Sequence, residues 1–318
     1  TCEWENQEGV PCVTIKVPVS NSNKISEKIS TKTIITKQEI EDNNLKDLTS
    51  VISHVNNVIA FQSGGAGQQT SIFTRGSNSN HTLVLLNGIP INDQSTTNGA
   101  YDFGQDFMTN VLLIEVYKGS AGHHFGADAI GGAINIVTDI DWENKMIAHN
   151  NGLTGNYATS IGDNWQIGFT GGVYEKEETS ALSGANEKDG VKNYSTNINY
   201  EKFLNENLRI YNTTYLRQTK AEYDNSNTNQ TGYEGNNKMG SIQFGVENQT
   251  VSKKDNYIFY YNLYDREYDE RGTIDTYESE VLGLKYDLSQ IINKDLSYGI
   301  GSEYKYDWGY FDNKGSYE

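Results

Sequence analysis

A small set of residues in this chain has types and spacings that could do chemistry. Cys2 and Cys12 are the only cysteines and close an eleven-residue segment. An isolated close pair fits a disulfide formed in an oxidising compartment, and closing a loop of this size contributes about 3 kcal/mol in the chain-entropy model. A metal site would need further Cys or nearby His ligands, which this stretch lacks. His123 and His124 carry imidazoles suited to iron or haem. Neighbouring side chains on a strand point to opposite faces, however, so shared coordination is poor and chance surface histidines are the commoner case. Glu187 and Asp189, in NEKDG, and Asp224, in DNSNTN, offer oxygen ligands of the kind Ca²⁺ takes. The EF-hand spacing is absent, and a solvated acidic loop is the ordinary explanation. GADAIGGA (126–133) is glycine-rich, but it runs into an apolar strand instead of opening a helix, which argues against a phosphate cradle. With no nucleophile elbow, Walker, zinc-helix or Rossmann pattern, the chain reads as a non-enzyme that requires no cofactor.

Charge and hydropathy narrow the field. The 318 residues carry a net charge of −17, which argues against nucleic acid as a partner because phosphates attract a basic face. The acidic, Asn-rich loops suit a solvated or cation-binding outer surface, although charge excess commonly serves solubility alone. No run approaches the roughly 18 apolar residues of a membrane helix. Helical membrane proteins are thereby excluded; β-barrels are not, since alternation hides their hydrophobicity.

Two kinds of element must position these residues. Residues 71–139 hold short apolar strands at 83–86, 112–116 and 133–137, separated by corners at Gly76, Gly88, Gly119, Gly126 and Gly131-Gly132. Glycine serves where backbone turns sharply or approaches another backbone closely, so this segment reads as a compact irregular globule with little helix. From about Lys145 onward the period is two. Trp165, Ile167, Phe169, Gly171 and Val173 share one face of a strand, and so do Tyr194, Thr196, Ile198 and Tyr200. Ile242, Phe244 and Val246 repeat the pattern, as do Leu282, Leu284, Tyr286 and Leu288.

The predicted connections also alternate. Tight turns at 162–164, 204–207 and 252–255 are separated by longer polar loops at about 175–192, 224–238 and 269–276. Short turns at one end and long loops at the other characterise an outer-membrane barrel. A soluble β-sandwich also alternates and is the commoner source of such a pattern. Strand length, as in the unbroken 208–223, and the 22 tyrosines weigh toward the barrel, whose interfaces carry aromatic girdles.

SIFTRG (71–76), HTLVLLNGIPIND (81–93) and DAIGGAINIVT (128–138) resemble the plug domain of TonB-dependent outer-membrane receptors. STKTIITKQEI (30–40), followed by 45–55, is similar to the plug's opening strand and helix, and NNVIAFQSGGAGQ (56–68) to the segment leading to its first apical loop. The likeness runs from about residue 25 to 140 in the family's order, and its GGxGQ…SIFxRG wording is similar to that of vitamin B12 transporters and related siderophore receptors. One departure is Lys118-Gly119-Ser120, where the family usually has Arg-Gly-Pro. The charge survives, but the bidentate fork of Arg and the stiffness of Pro are lost.

The resemblance implies a mainly β protein, a globular α+β plug inside a transmembrane antiparallel barrel that is incomplete in this chain. The expected division is an N-terminal segment at 1–24, a plug at 25–141 and barrel strands at 142–318. About nine strands follow residue 140, whereas a lumen holding such a plug needs about 22. The final residues also lack a terminal aromatic. The chain is therefore read as the N-terminal part of a longer receptor, with a complete small barrel as the alternative. It starts at Thr without an apolar leader and is read as a mature protein whose signal peptide has been removed.

For function, the resemblance implies active import of a scarce large nutrient, cobalamin or a ferric siderophore, across the bacterial outer membrane. The implied partners are outer-membrane lipid and the periplasmic C-terminal domain of TonB. TonB would grip an extended N-terminal box by strand addition. Val13, Thr14, Ile15, Lys16 and Val17 form the candidate box, with an ordinary first strand as the equally ready alternative. Gln62, Gly64, Gly65 and Gln68, with Gln94, Ser95, Thr96, Asn98 and Tyr101, are the candidate cargo contacts; plain solvent-facing turns look the same. Arg75, Gly76, Glu115, Lys118, Gly131 and Gly132 are the candidate structural lock of the plug. For the charged members the alternative is a surface ion pair, worth at most about 1 kcal/mol. The B12 transporters are similar in carrying acidic outer loops, which keeps Ca²⁺ at Glu187, Asp189 and Asp224 as an expectation. Two competing functions are a passive porin or adhesin with a constricting N-terminal domain, and a secreted β-rich binding protein.

Overall fold

The computed structural model describes residues 31–313, apart from 46, 65–66, 97–98, 107–110, 120–124, 139–144, 150–151, 176–188, 224–231 and 295. Cys2, Cys12, residues 13–17, Gly65, Asn98, His123, His124, Glu187 and Asp224 lie outside the described residues.

The first unit consists of β1 (Thr31–Thr36), α1 (Lys37–Asp42), α2 (Leu48–Ser53), β2 (Val58–Gln62), β3 (Thr70–Thr74), β4 (Thr82–Leu86), β5 (Ile89–Pro90), β6 (Val111–Lys118) and β7 (Gly132–Thr138). The strands form a five-stranded sheet in the order β1-β6-β7-β4-β5 and a separate β2-β3 ribbon. Both helices are short and depend on their caps. Thr36 and Glu39 form a capping box on α1, and Asp47 and Ser50 one on α2, each satisfying backbone donors that a one- or two-turn helix leaves open. Helix α2 buries Leu48, Val51 and Ile52 in a core shared with Ile72, Val84, Ile114 and Ile134. All five residues of β4 are buried, as its continuous TLVLL run requires of a strand covered on both faces.

The second unit is one nine-stranded antiparallel sheet with neighbours in chain order. Its members are β8 (Lys145–His149), β9 (Gly152–Ile161), β10 (Trp165–Glu175), β11 (Gly190–Phe203), β12 (Leu208–Glu222), β13 (Tyr233–Gln249), β14 (Lys253–Glu270), β15 (Thr273–Ile291) and β16 (Ser297–Asn313). The register places the predicted alternation as expected. Trp165, Phe169, Tyr194, Phe244, Val246, Leu282 and Leu284 are exposed on the face away from the first unit. Asn193, Arg217, Gln243, Asn262 and Ser279 are buried on the face toward it. The first unit therefore packs against the polar side of this wall, and the apolar side is left for lipid.

Three predicted connections need correction. Residues 233–238, expected in the long loop 224–238, belong to β13 and pair with β12 and β14. Residues 269–276 are not a long loop: β14 and β15 pair through to Glu270↔Thr273. Arg271 (φ 56°) and Gly272 (φ 93°) make the tight turn, both in the left-handed region that a two-residue hairpin demands. The polar composition misleads because these strands have 18 and 19 residues, whereas about 9–11 span a bilayer; their ends stand in water, where both faces are polar. At the other end, the turn expected at 252–255 gives way to strand from Lys253, because Lys253 and Lys254 pair with Gln290 and Ser289.

Candidate functional site

The junction between the two units is built from polar wall side chains reaching backbone carbonyls of one hairpin. Asn87 (φ 51°) and Gly88 (φ 84°) form its tight turn, the Asn-Gly signal for such a hairpin. Gln243 donates to the Leu86 carbonyl at 3.0 Å, Lys285 to Gly88 at 3.2 Å, Asn262 to Pro90 at 2.7 Å and Tyr264 to Ile91 at 2.5 Å. Between these clamps, the Ile89 side chain is buried among Ile258, Tyr260 and Val281 of the wall.

Two buried ion pairs extend the junction. Arg217 Nη1 lies 2.6 Å from Asp106 Oδ1, and its Nη2 donates to Asn237 at 3.1 Å. The Tyr101 hydroxyl donates to the other Asp106 oxygen at 2.5 Å. Burial first, then the adjacent Asp106 carboxylate, pushes the Tyr101 phenol well above its ordinary value, so it remains a donor. Arg266 Nε lies 2.8 Å from Asp93 Oδ2, and its Nη2 donates to the Ser95 carbonyl and hydroxyl, each at 3.0 Å. Asp93 also accepts from Ser279 at 2.9 Å. A third pair, Lys305–Asp128 at 2.8 Å, is exposed and contributes little. Beside these pairs Asp102 organises the apical turns, accepting from the Thr70 and Gly104 amides at 2.9 and 3.0 Å. Burial holds its carboxyl above the usual carboxylate value against those donors.

Above the junction, toward the long-loop end, the inner face carries aromatic rings on, or one residue past the end of, five successive strands. Tyr233 stands 5.7 Å from Tyr223, Tyr223 6.0 Å from Tyr268, Tyr268 5.8 Å from Tyr277 and Tyr277 5.9 Å from Phe311, all edge-on. Tyr268 reaches Tyr223 by leaning over its cross-strand partner Gly235, whose missing Cβ would lie 3.4 Å from the ring. The Arg266 guanidinium sits under this ladder, 5.9 Å from the Tyr268 ring and 5.1 Å from that of Tyr277. A hollow of about 990 Å³ elsewhere on the sheet is lined mainly by outward apolar side chains such as Trp165, Phe244 and Tyr304. That lining suits lipid tails rather than a polar nutrient.

The candidate cargo contacts separate into two groups. Gln68 donates to the Glu222 carbonyl of β12, and the Gln94 carbonyl lies beside Gly309 of β16; both are next to the aromatic ladder. Gln62 ends β2 half-buried, Gly64 packs against the Gln68 side chain, and Thr96 donates to the Asp93 and Ala100 carbonyls. Ser95 and Tyr101 depart from the expectation of ligand-facing positions: both are buried, and their polar atoms are engaged by Arg266, Asp93 and Asp106. They serve the junction because the apical loop folds down onto the wall.

The candidate lock residues are spread through the first unit. Glu115 lies 2.7 Å from Lys32 on β1 and accepts from Asn135 at 2.9 Å. Lys118 is buried with its ammonium donating to the Asn56 carbonyl at 3.3 Å. Arg75 (φ 50°) follows β3 with its guanidinium beside Gly119, and Gly76 (φ 80°) completes that turn. Gly131 and Gly132 sit where a Cβ would lie 2.4 Å from Ser77 Oγ and 2.3 Å from the Tyr117 carbonyl, respectively. Among the described residues, no group of three or more His, Cys, Asp or Glu is arranged to hold a metal. The sequence reading missed Asp93, Asp106, Arg217 and Arg266. For the two arginines a signal existed: each falls on the polar face of an alternating strand among mostly uncharged residues.

The TonB-dependent Receptor Plug Domain family model matches residues 24–133. The vitamin B12 transporter BtuB of Vibrio vulnificus is 40% identical over 114 residues, covering 36% of this chain and 18% of that protein. BtuB of Vibrio cholerae serotype O1 is 28% identical over 240 residues, covering 69% of this chain and 38% of that protein. Among solved structures, the siderophore receptor PirA from Acinetobacter baumannii aligns with a TM-score of 0.67 at 17% identity, covering 89% of this chain and 49% of that one. The ferric citrate transporter FecA in its unliganded form gives 0.67 at 14%, covering 93% and 51%. At these identities the structures establish the fold. The chain spans about half the length of those receptors and less of the curated relatives it matches. Plug match, relatives and shared architecture together place this chain in the TonB-dependent outer-membrane receptors, as a plug domain and a nine-stranded part of the barrel wall.

Proposed function

We propose that the complete receptor imports a scarce, large nutrient across the outer membrane, using TonB on the periplasmic side to move the plug. The observation that supports this reading best is the chemistry of the junction. The plug meets the wall through hydrogen bonds to carbonyls and through ion pairs, beside apolar contacts at Ile89 and where Tyr215, Met239 and Tyr264 of the wall join the plug core. The polar contacts exchange with water at modest net cost, so this part of the junction closes the lumen yet can be released when the plug moves. Residues 13–17 supply the strand that TonB grips. Cys2 and Cys12 form a disulfide just before it, and Glu187, Asp189 and Asp224 supply Ca²⁺ ligands in the outer loops.

The cargo is cobalamin or a ferric siderophore, a choice supported by relatives that bear the names of B12 transporters and by neighbours that bear those of siderophore and ferric citrate receptors. The test is uptake by cells lacking their own transporters and carrying the full-length receptor, with and without TonB. Import of labelled cyanocobalamin or ferric siderophore that disappears without TonB is expected. Import that persists without TonB would identify a passive channel instead.

A further inference from the structure

We propose that the first strand of the plug is coupled to its wall-seated hairpin through one row of side chains, so that loosening β1 releases the hairpin from the wall. The row crosses the five-stranded sheet. Lys32 Nζ on β1 lies 2.7 Å from Glu115 on β6, and the two side chains are only 18% and 19% exposed. Asn135 Nδ2 on β7 donates to Glu115 at 2.9 Å. The other end of that amide, Asn135 Oδ1, accepts from the Gly88 backbone N–H at 3.0 Å. The Gly88 carbonyl in turn accepts from Lys285 of the wall at 3.2 Å. Ile89, the next residue, is seated among Ile258, Tyr260 and Val281.

Each link constrains the next. A carboxylate only accepts, so Glu115 obliges Asn135 to present its NH2 group and leaves Oδ1 to face Gly88. Lys32 holds that carboxylate in place. Without the cation, an enclosed charge is left uncompensated and is drawn toward water, and its grip on the Asn135 amide goes with it. The Asn87 side chain ties the same turn to Thr138 at 2.9 and 3.0 Å, so the turn stays on β7 while Gly88 loses the partner that aims it at Lys285. Strand β1 is placed to work this row. It pairs with β6 alone among the described strands, so it can separate without breaking any other strand pair. The coupling stands apart from the uptake reading. Within that reading, tension on the residues before β1 reaches Lys32 first and is passed along the row to the wall contact.

The test is hydrogen exchange in the full-length receptor in detergent, which reads how often each segment opens. Lys32→Met should raise exchange over residues 86–91 by about fivefold or more. Residues 58–62 and 70–74, in the separate β2-β3 ribbon off the row, should not change. Lys32→Arg, which keeps the charge, should match the native receptor. In an Asn135→Ala background, where the row is cut, Lys32→Met should add nothing over 86–91. Coupling is reciprocal, so Lys285→Met should raise exchange over 31–36. That variant leaves the plug sequence untouched and decides the matter where Lys32→Met fails to fold. Unchanged exchange over 86–91 in Lys32→Met would overturn the proposal. So would an equal rise in the ribbon, a rise that persists in the Asn135→Ala background, or unchanged exchange over 31–36 in Lys285→Met. These measurements involve neither cargo nor TonB, so their failure leaves the transport reading standing, and TonB-independent uptake leaves the coupling standing.

Discussion

Arg217 on the wall and Asp106 in the plug stand 111 residues apart in the chain and 2.6 Å apart in space, with side chains only 1% and 6% exposed. Two charges so enclosed gain little net stability from each other, because desolvation offsets their attraction. What they fix is placement: Asp106 is satisfied only where Arg217 and Tyr101 both reach it.

Asp106→Ala should therefore destabilise the plug–wall junction by about 3–5 kcal/mol, since it leaves a buried guanidinium uncompensated. Replacing both partners, Asp106→Leu with Arg217→Met, should recover most of that loss. Denaturant unfolding of the purified full-length receptor measures both. Equal losses in the single and double variants would contradict the argument.

The plug's glycines should differ sharply in tolerance. Gly132→Val places a Cβ 2.3 Å from the Tyr117 carbonyl, and Gly104→Ala one 2.0 Å from that of Gln68; backbone atoms cannot swing aside, so receptor abundance should collapse. Gly131→Val meets Ser77 Oγ at 2.4 Å and should also fail. Gly76→Ala has no atom within 4 Å and should cost only about 1 kcal/mol for its left-handed backbone. Immunoblots of outer-membrane fractions rank the four.

Tyr260 lies flat on Gly283, its cross-strand partner, and its hydroxyl donates to Glu303 at 2.6 Å. Gly283→Val would put a Cβ 2.0 Å from the ring and expel it from the pocket around Ile89. Thermal unfolding should show a larger loss for Gly283→Val than for Tyr260→Phe, which forfeits one hydrogen bond worth about 1 kcal/mol. The reverse order would mean that the ring is not seated there.

The Lys32–Glu115 pair gives a pH signature. Burial alone would lower the Lys32 pKa, but the hydrogen bond and charge of Glu115 outweigh it and raise the value above the ordinary 10.5. A raised folded-state pKa stabilises fully below the unfolded value and ceases to do so as pH rises through the folded one. The stability difference between the native receptor and Lys32→Met should thus be constant from neutral pH to about 9.5 and shrink above 10.5. A difference that grows with pH would contradict the pairing.

The two-part architecture was legible in the sequence because its signals are local. Strand alternation puts Trp165, Phe244 and Leu284 on one face whatever the tertiary context, and the Asn87-Gly88 turn is dictated by backbone sterics. The partners of Arg217 and Arg266 were not legible: nothing near either arginine in the chain indicates which distant carboxylate it meets. Ser95 and Tyr101 were placed with the cargo contacts because polar loop composition does not distinguish a turn facing water from one folded onto a polar wall. The hairpin at 271–272 was concealed for a related reason, as the ends of β14 and β15 lie beyond the bilayer and carry polar residues on both faces.

Whether the plug sits against the polar side of the wall is tested most directly by pairing Ile89→Cys with Val281→Cys in an otherwise cysteine-free full-length receptor. Ile89 and Val281 share one buried cluster, while Leu282, the next residue, is exposed on the opposite face. Mild oxidation or a short thiol-reactive linker should bridge 89 to 281 in the folded receptor and leave the 89–282 control unlinked. Bridging to 282 in preference, or to neither, would contradict the account.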